Sequence, residues 1–98
     1  MLKGAYIFVV PDADSRKHRT KVETPSLSMT IVGVKDYNEA AKVAETLVAD
    51  GAQFIDLCSG YGPAGAAKVI AAVGDKIPVA AADYGIESVA KAAAVFGL

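Results

Sequence analysis

The chain has 98 residues, a formal net charge of −1 and a hydrophobic share of 53%. That sets a single domain, 1–98, with one modest core, and excludes the strongly basic footprint of a nucleic-acid binder. One cysteine excludes an internal disulfide and leaves too few thiols for a structural zinc site.

Residues 5–10 (Ala-Tyr-Ile-Phe-Val-Val) form a continuous apolar run of strand length that Pro11 stops. Such a run reads as a strand covered on both faces. Residues 11–26 carry only Val22 as a sizeable apolar anchor and read as a long loop of the functional or disordered kind. Residues 27–34 alternate Leu27, Met29 and Ile31 against Ser28 and Thr30 before turning wholly apolar, which predicts a partly covered strand.

A helix follows over 37–50. Asp36 and Glu39 make a capping box, Ala40, Val43, Ala44, Leu47 and Val48 make one stripe, and Gly51 supplies the left-handed stop. Residues 54–58 read as a short strand. Pro63 opens a second helix with Ala66, Val69, Ile70 and Val73 inward and Gly74 as its stop. Residues 78–82 form another strand, and a last helix spans 86–96 with Ile86, Val89, Ala90 and Ala93 on one side. The order β-loop-β-α-β-α-β-α predicts an α/β fold. Its sheet has three or four mostly parallel strands of consecutive βα units, arranged as a half-barrel or a flavodoxin-like sheet. The orientation of the first two strands stays open.

Tyr37, Tyr61 and Tyr84 each fall just after a strand, at the carboxyl edge where parallel sheets bind ligands. Between them, residues 59–65 (Ser-Gly-Tyr-Gly-Pro-Ala-Gly) form a glycine turn into a helix whose backbone N–H groups suit an anion. Gly60, Tyr61, Gly62, Gly65 and Tyr84 are therefore the expected ligand contacts. Cys58 sits beside that helix entrance, and Asp56 shares its strand face two residues earlier. They are the candidate nucleophile and base. Positive charge comes from the 11–26 segment: residues 1–35 hold six Lys and Arg against three acids, residues 36–98 four lysines against eight acids. His18 is a candidate proton carrier and Arg19 a candidate anion fork.

The segments Lys17-His18-Arg19-Thr20, Gly33-Val34-x-Asp36-Tyr37-x-Glu39-Ala40 and Ile55-Asp56-Leu57-Cys58-x-Gly60-Tyr61-Gly62-Pro63-x-Gly65 resemble a family of small bacterial proteins of unassigned function. The resemblance spans residues ~5–80. Where this chain has Asp56, Ser59 and Tyr61, it implies frequent Glu, Gly and Phe, so no essential hydroxyl at 59 or 61 follows. It implies no activity.

Two functions are expected from these features. One is a domain binding a small anionic molecule at the carboxyl edge, enzymatic if Cys58 and Asp56 react. The other is a non-catalytic assembly module, since nineteen alanines and the high apolar share suit a homo-oligomer. One histidine, one cysteine and scattered acids offer no close ligand spacing, so neither metal nor cofactor is expected. The opening residues lack a signal-like apolar stretch and no run approaches ~18 apolar residues, so a cytoplasmic protein without a membrane partner is expected.

Overall fold

A crossover helix needs an apolar stripe, and residues 11–26 have none. In the computed structural model, which describes residues 1–97, part of that segment becomes a strand instead. The elements are β1 (Leu2–Val9), β2 (Arg19–Glu23), β3 (Leu27–Val34), α1 (Tyr37–Ala49), β4 (Phe54–Leu57), α2 (Gly62–Val73), β5 (Val79–Ala81) and α3 (Val89–Phe96). The sheet order is β2-β3-β1-β4-β5. The pairs β1–β3, β1–β4 and β4–β5 are parallel, and β2 runs antiparallel along the outer edge of β3.

The sheet therefore has five strands, not the expected three or four, because residues 19–23 extend it as the first arm of a hairpin. Thr24 closes that hairpin, its Oγ1 accepting from the N–H of Leu27 at 3.0 Å. β1 and β3 are parallel, which resolves the orientation left open by the sequence. The chain steps from β1 to β3 on one side and returns across β1 to β4 on the other.

α1 keeps the expected cap: the side chain of Asp36 accepts from Glu39 N–H at 2.8 Å, and Glu39 Oε1 accepts from Lys35 N–H at 3.2 Å. Its stripe of Ala40, Val43, Ala44 and Leu47 is buried against Ala5, Ile7, Val32 and Val34 of the sheet. α2 adds Val69 and Val73 to this core over Ile55 and Leu57. Ile70, expected inward, is 47% exposed, because Gly65 rather than Ile70 makes the close approach to α1. α3 is shorter than the expected 86–96 span. Gly85 has φ +65° and Ser88 N–H bonds back to Gly85 O at 3.4 Å, so Ile86 lies in a turn ahead of the helix.

The junction of α1 and α2 is a stack of aromatic rings. Tyr37 packs on Tyr61 with centroids 5.6 Å apart and planes at 23°. The Tyr37 hydroxyl reaches the carbonyls of Gly60 at 3.1 Å and Tyr61 at 3.3 Å. Gly65 lies beneath the same ring.

Both helices that build the core lie on one side of the sheet. The opposite face carries Tyr6 and Phe8 of β1, Met29 and Ile31 of β3, and Phe54 and Asp56 of β4, aligned by the strand registers. All are half-buried. The expectation that the first strand is covered on both faces is thus corrected: Ala5 and Ile7 are covered, Tyr6 and Phe8 are not. The missing cover is the helix that residues 11–26 do not form. Gly4 and Gly33 flatten this face, since the rings of Phe54 and Phe8 occupy the space their Cβ atoms would take.

Gly65→Ala tests the junction. A Cβ there would stand 2.6 Å from Tyr37 Cε1, and the doubly anchored ring has no room to yield. Overpacking of about 1–3 kcal/mol outweighs the helix-propensity gain of about 1 kcal/mol. The urea midpoint should fall; an unchanged or raised midpoint contradicts the tight junction.

Candidate functional site

The carboxyl ends of β1, β3, β4 and β5 meet α1 and α2 at one edge, and two recesses open there. The smaller, about 320 Å³, lies by Val10, Pro11, Lys35, Tyr37 and Gly60. The larger, about 510 Å³, lies between α2 and α3 over the end of β5. Its rim carries Ser59, Gly62, Asp83 and Tyr84, and its walls are Pro63, Ala66, Ala81, Val89, Ala92 and Ala93. The small walls explain the volume: alanines on both helices leave room that larger side chains would fill.

The two helix entrances differ. α1 is closed by its own Asp36 cap. α2 has no capping side chain and begins with Gly62 and Pro63, which border the recess, so its first turn lacks a carboxylate of its own. Gly62 has φ +51°, which glycine alone adopts without strain. The turn is held by Tyr61 N–H on Cys58 O at 3.2 Å and by the Tyr37 hydroxyl.

The three tyrosines after the strands have separate fates. Tyr84 is 46% exposed at the larger recess and packs near Phe96 at 6.0 Å between centroids. Tyr37 buttresses the glycine turn. Tyr61 is wholly buried and its hydroxyl has no partner among the described residues. Burial, reinforced by the neighbouring Cys58 and Tyr37, pushes its phenol above the ordinary range. Tyr61 and Gly65 therefore offer a ligand backbone only, and Gly60 and Gly62 stay at the surface.

His18 and Arg19 do not join this turn. Residues 11–18 fold back on themselves: His18 Nδ1 accepts from Asp14 N–H at 2.8 Å and Asp14 Oδ1 accepts from Arg16 N–H at 2.9 Å. The Arg16 N–H, more than the nearby cations, holds the Asp14 carboxyl below its ordinary value. His18 O then accepts from Gly33 N–H at 2.8 Å, which fixes the segment to β3. Arg19 starts β2, three strands and roughly 14 Å from β4. Its Nε donates to Ser15 O at 2.7 Å. It lines instead a polar groove of about 340 Å³ with Lys3, Lys21, Ser28, Thr30 and Asp50.

Cys58 and Asp56 do not share a face as their spacing implies. Asp56 faces the side without helices, whereas Cys58, just past the end of β4, packs against the helix-side core beside Gly60. Tyr6 stands opposite Asp56 in the β1–β4 register. Burial first, then Cys58, Tyr84 and Asp56, raises the Tyr6 phenol above its ordinary value. The structure therefore brings Tyr6 and Asp56 together, with Cys58 just past the strand end, and separates all three from His18. Tyr6 is not legible as a site residue in the sequence, because an unbroken apolar run carries no alternation to show that one face is bare. Among the described residues no three His, Cys, Asp or Glu side chains converge, and no helix is long and apolar enough to cross a membrane.

The fold and its edge define a one-sided α/β domain with a small-molecule-sized recess beside an uncapped helix. By sequence it belongs to a family of unknown function, DUF6506, whose match covers residues 2–97. No curated protein and no solved structure matches the chain.

Tyr61→Phe removes a buried hydroxyl that has no partner among the described residues, so stability should stay level or rise by up to about 1 kcal/mol. Tyr37→Phe removes an anchored hydroxyl and should cost about 1 kcal/mol. Denaturant titration of both variants checks the pair. A loss above about 1 kcal/mol for Tyr61→Phe would mean that its hydroxyl is engaged.

Proposed function

We propose that the chain is a binding domain for a small anionic molecule with a short apolar body, held at the carboxyl ends of β4 and β5. The observation that carries the reading is the 510 Å³ recess at a helix entrance with no capping side chain. Its size falls within the ~300–1,000 Å³ of ligand pockets. A carboxylate or phosphate head accepts from the first-turn N–H groups of α2 and from the Ser59 hydroxyl. The apolar body lies against Ala66, Ala92 and Val89. Asp83, already accepting from Gly85 N–H at 3.1 Å, stands on the rim and favours a ligand with a hydroxyl or amino donor at its far end.

The reading is one of binding, because neither Cys58 nor Asp56 lines the recess. A cytoplasmic setting accompanies it, supported by a free, half-buried cysteine that an oxidising compartment would leave liable to intermolecular pairing.

Thermal melting in a panel of small hydroxy and amino carboxylates and phosphate monoesters, at matched ionic strength, tests the proposal. A ligand at about 100 times its dissociation constant adds about 2.7 kcal/mol and should raise the midpoint by roughly 10 °C. Ala66→Leu, which fills the recess, should abolish the rise while the protein stays folded. Arg19→Ala, at the far edge of the sheet, should leave it intact. No shift with any member of the panel, or a shift that Arg19→Ala removes and Ala66→Leu does not, overturns the reading.

A further inference from the structure

The structure contains an apolar helix without a bed and an apolar sheet face without a helix. α3 has no buried residue, although Lys91 is its one charged side chain. Val95 is 78% exposed and Ile86, in the preceding turn, 91%. A helix apolar on nearly every side belongs in an interior. The open sheet face, with Tyr6, Phe8, Met29, Ile31 and Phe54, likewise has the composition of a covered surface. Asp56 is the one charged residue that the strands place on it.

We infer that two copies of the chain exchange these surfaces, the α3 of each lying on the open sheet face of the other, with Lys91 meeting the partner's Asp56. The topology suits this arrangement. α3 stands at the β5 end of the sheet, facing α2 across the recess above Ala81. A two-fold axis parallel to the strands and beside β5 turns the second sheet over. Its open face then lies beneath the first copy's α3, and the relation is reciprocal.

Asp56 sits one strand in from the β5 edge, paired in register with Ala80. That is about 5 Å from the edge and within reach of a lysine on a helix laid over it. Lys91 is one turn before Val95, and both line the outer side of α3 with Tyr84, away from α2. The two edges of the sheet also differ: β2 carries Arg19, Lys21 and Glu23, while β5 reads Val79-Ala80-Ala81. Charges blunt the first edge against a neighbour and leave the second open to one.

The areas agree with a stable dimer. Tyr84, Ile86, Val89, Val95 and Phe96 expose roughly 600 Å² together, and the half-buried residues of the open face add a smaller area, which brings the sum near the ~800 Å² per partner of a standard interface. The charge pair is separate from the recess, since Lys91, Val95 and Asp56 do not line it, whereas Tyr84 and Val89 border both the recess and the exchanged surface.

Charge reversal tests the pairing with the full chain. At micromolar concentration, sedimentation of the wild type should give twice the 10.0 kDa chain mass. Asp56→Lys and Lys91→Asp should each weaken association by about tenfold or more, because like charges then face each other in a desolvated contact. Mixing the two variants should restore a dimer, since each heterodimer contact again joins opposite charges. Circular dichroism and melting of each variant establish that it is folded. A monomeric wild type overturns the inference, as it would if α3 closed on its own sheet. Folded variants that still dimerise singly, or that stay apart when mixed, overturn it too and point to another interface.

Discussion

The absence of an apolar stripe in residues 11–26 governs the architecture. A parallel step from β1 to β3 ordinarily carries a helix that packs on the sheet. Without leucines or valines at helical spacing, that helix has nothing to bury, and the segment instead adds β2 to the edge by main-chain hydrogen bonds. The later crossovers, through α1 and α2, step in the opposite direction and cover the opposite face. One compositional fact therefore yields a fifth strand, a bare sheet face and a basic edge.

The second constraint is the close contact of α1 with α2. Because Gly65 has no side chain, Tyr37 lies over α2 and carries its hydroxyl to the carbonyls of the glycine turn. That contact shapes the carboxyl edge: it holds Gly60 at the surface, draws Tyr61 into the core and leaves the α2 entrance uncapped. The recess beside it owes its volume to alanine, which carries little transfer energy but permits close packing without filling space. Residues rich in alanine around 64–72 and 90–94 thus do opposite things on two sides of α2.

Where the chain punctuates itself, local chemistry was enough to read it. Asp36, Gly51, Pro63 and Gly74 marked helix ends to within a residue or two, because caps and positive-φ glycines act over one turn. The stripe of α1 was legible for the same reason. β2 was not: a five-residue strand in which charged and uncharged residues alternate, Arg19-Thr20-Lys21-Val22-Glu23, is stabilised by pairing with β3 and not by its own burial. The candidate site was half legible. Spacing put the glycine turn at a helix entrance, but its alternation fails at Cys58, which lies just past the end of β4. It could not say that Asp56 faces the side of the sheet without helices, nor that Arg19 is three strands from β4. Those distances are set by strand order, which depends on contacts remote in sequence.

That order, β2-β3-β1-β4-β5, puts the first strand of the chain in the middle of the sheet. Both of its neighbours are synthesised after it, so β1 leaves the ribosome as an apolar ribbon with no partner. The hairpin of β2 and β3 is a local contact and closes early, but pairing β1 spans about twenty-five residues to β3 and about fifty to β4, the kind of contact order that slows folding. The sheet cannot close around its axis until β4, about fifty residues after β1, has emerged. Until then the nascent chain is most exposed to misassociation at its own centre.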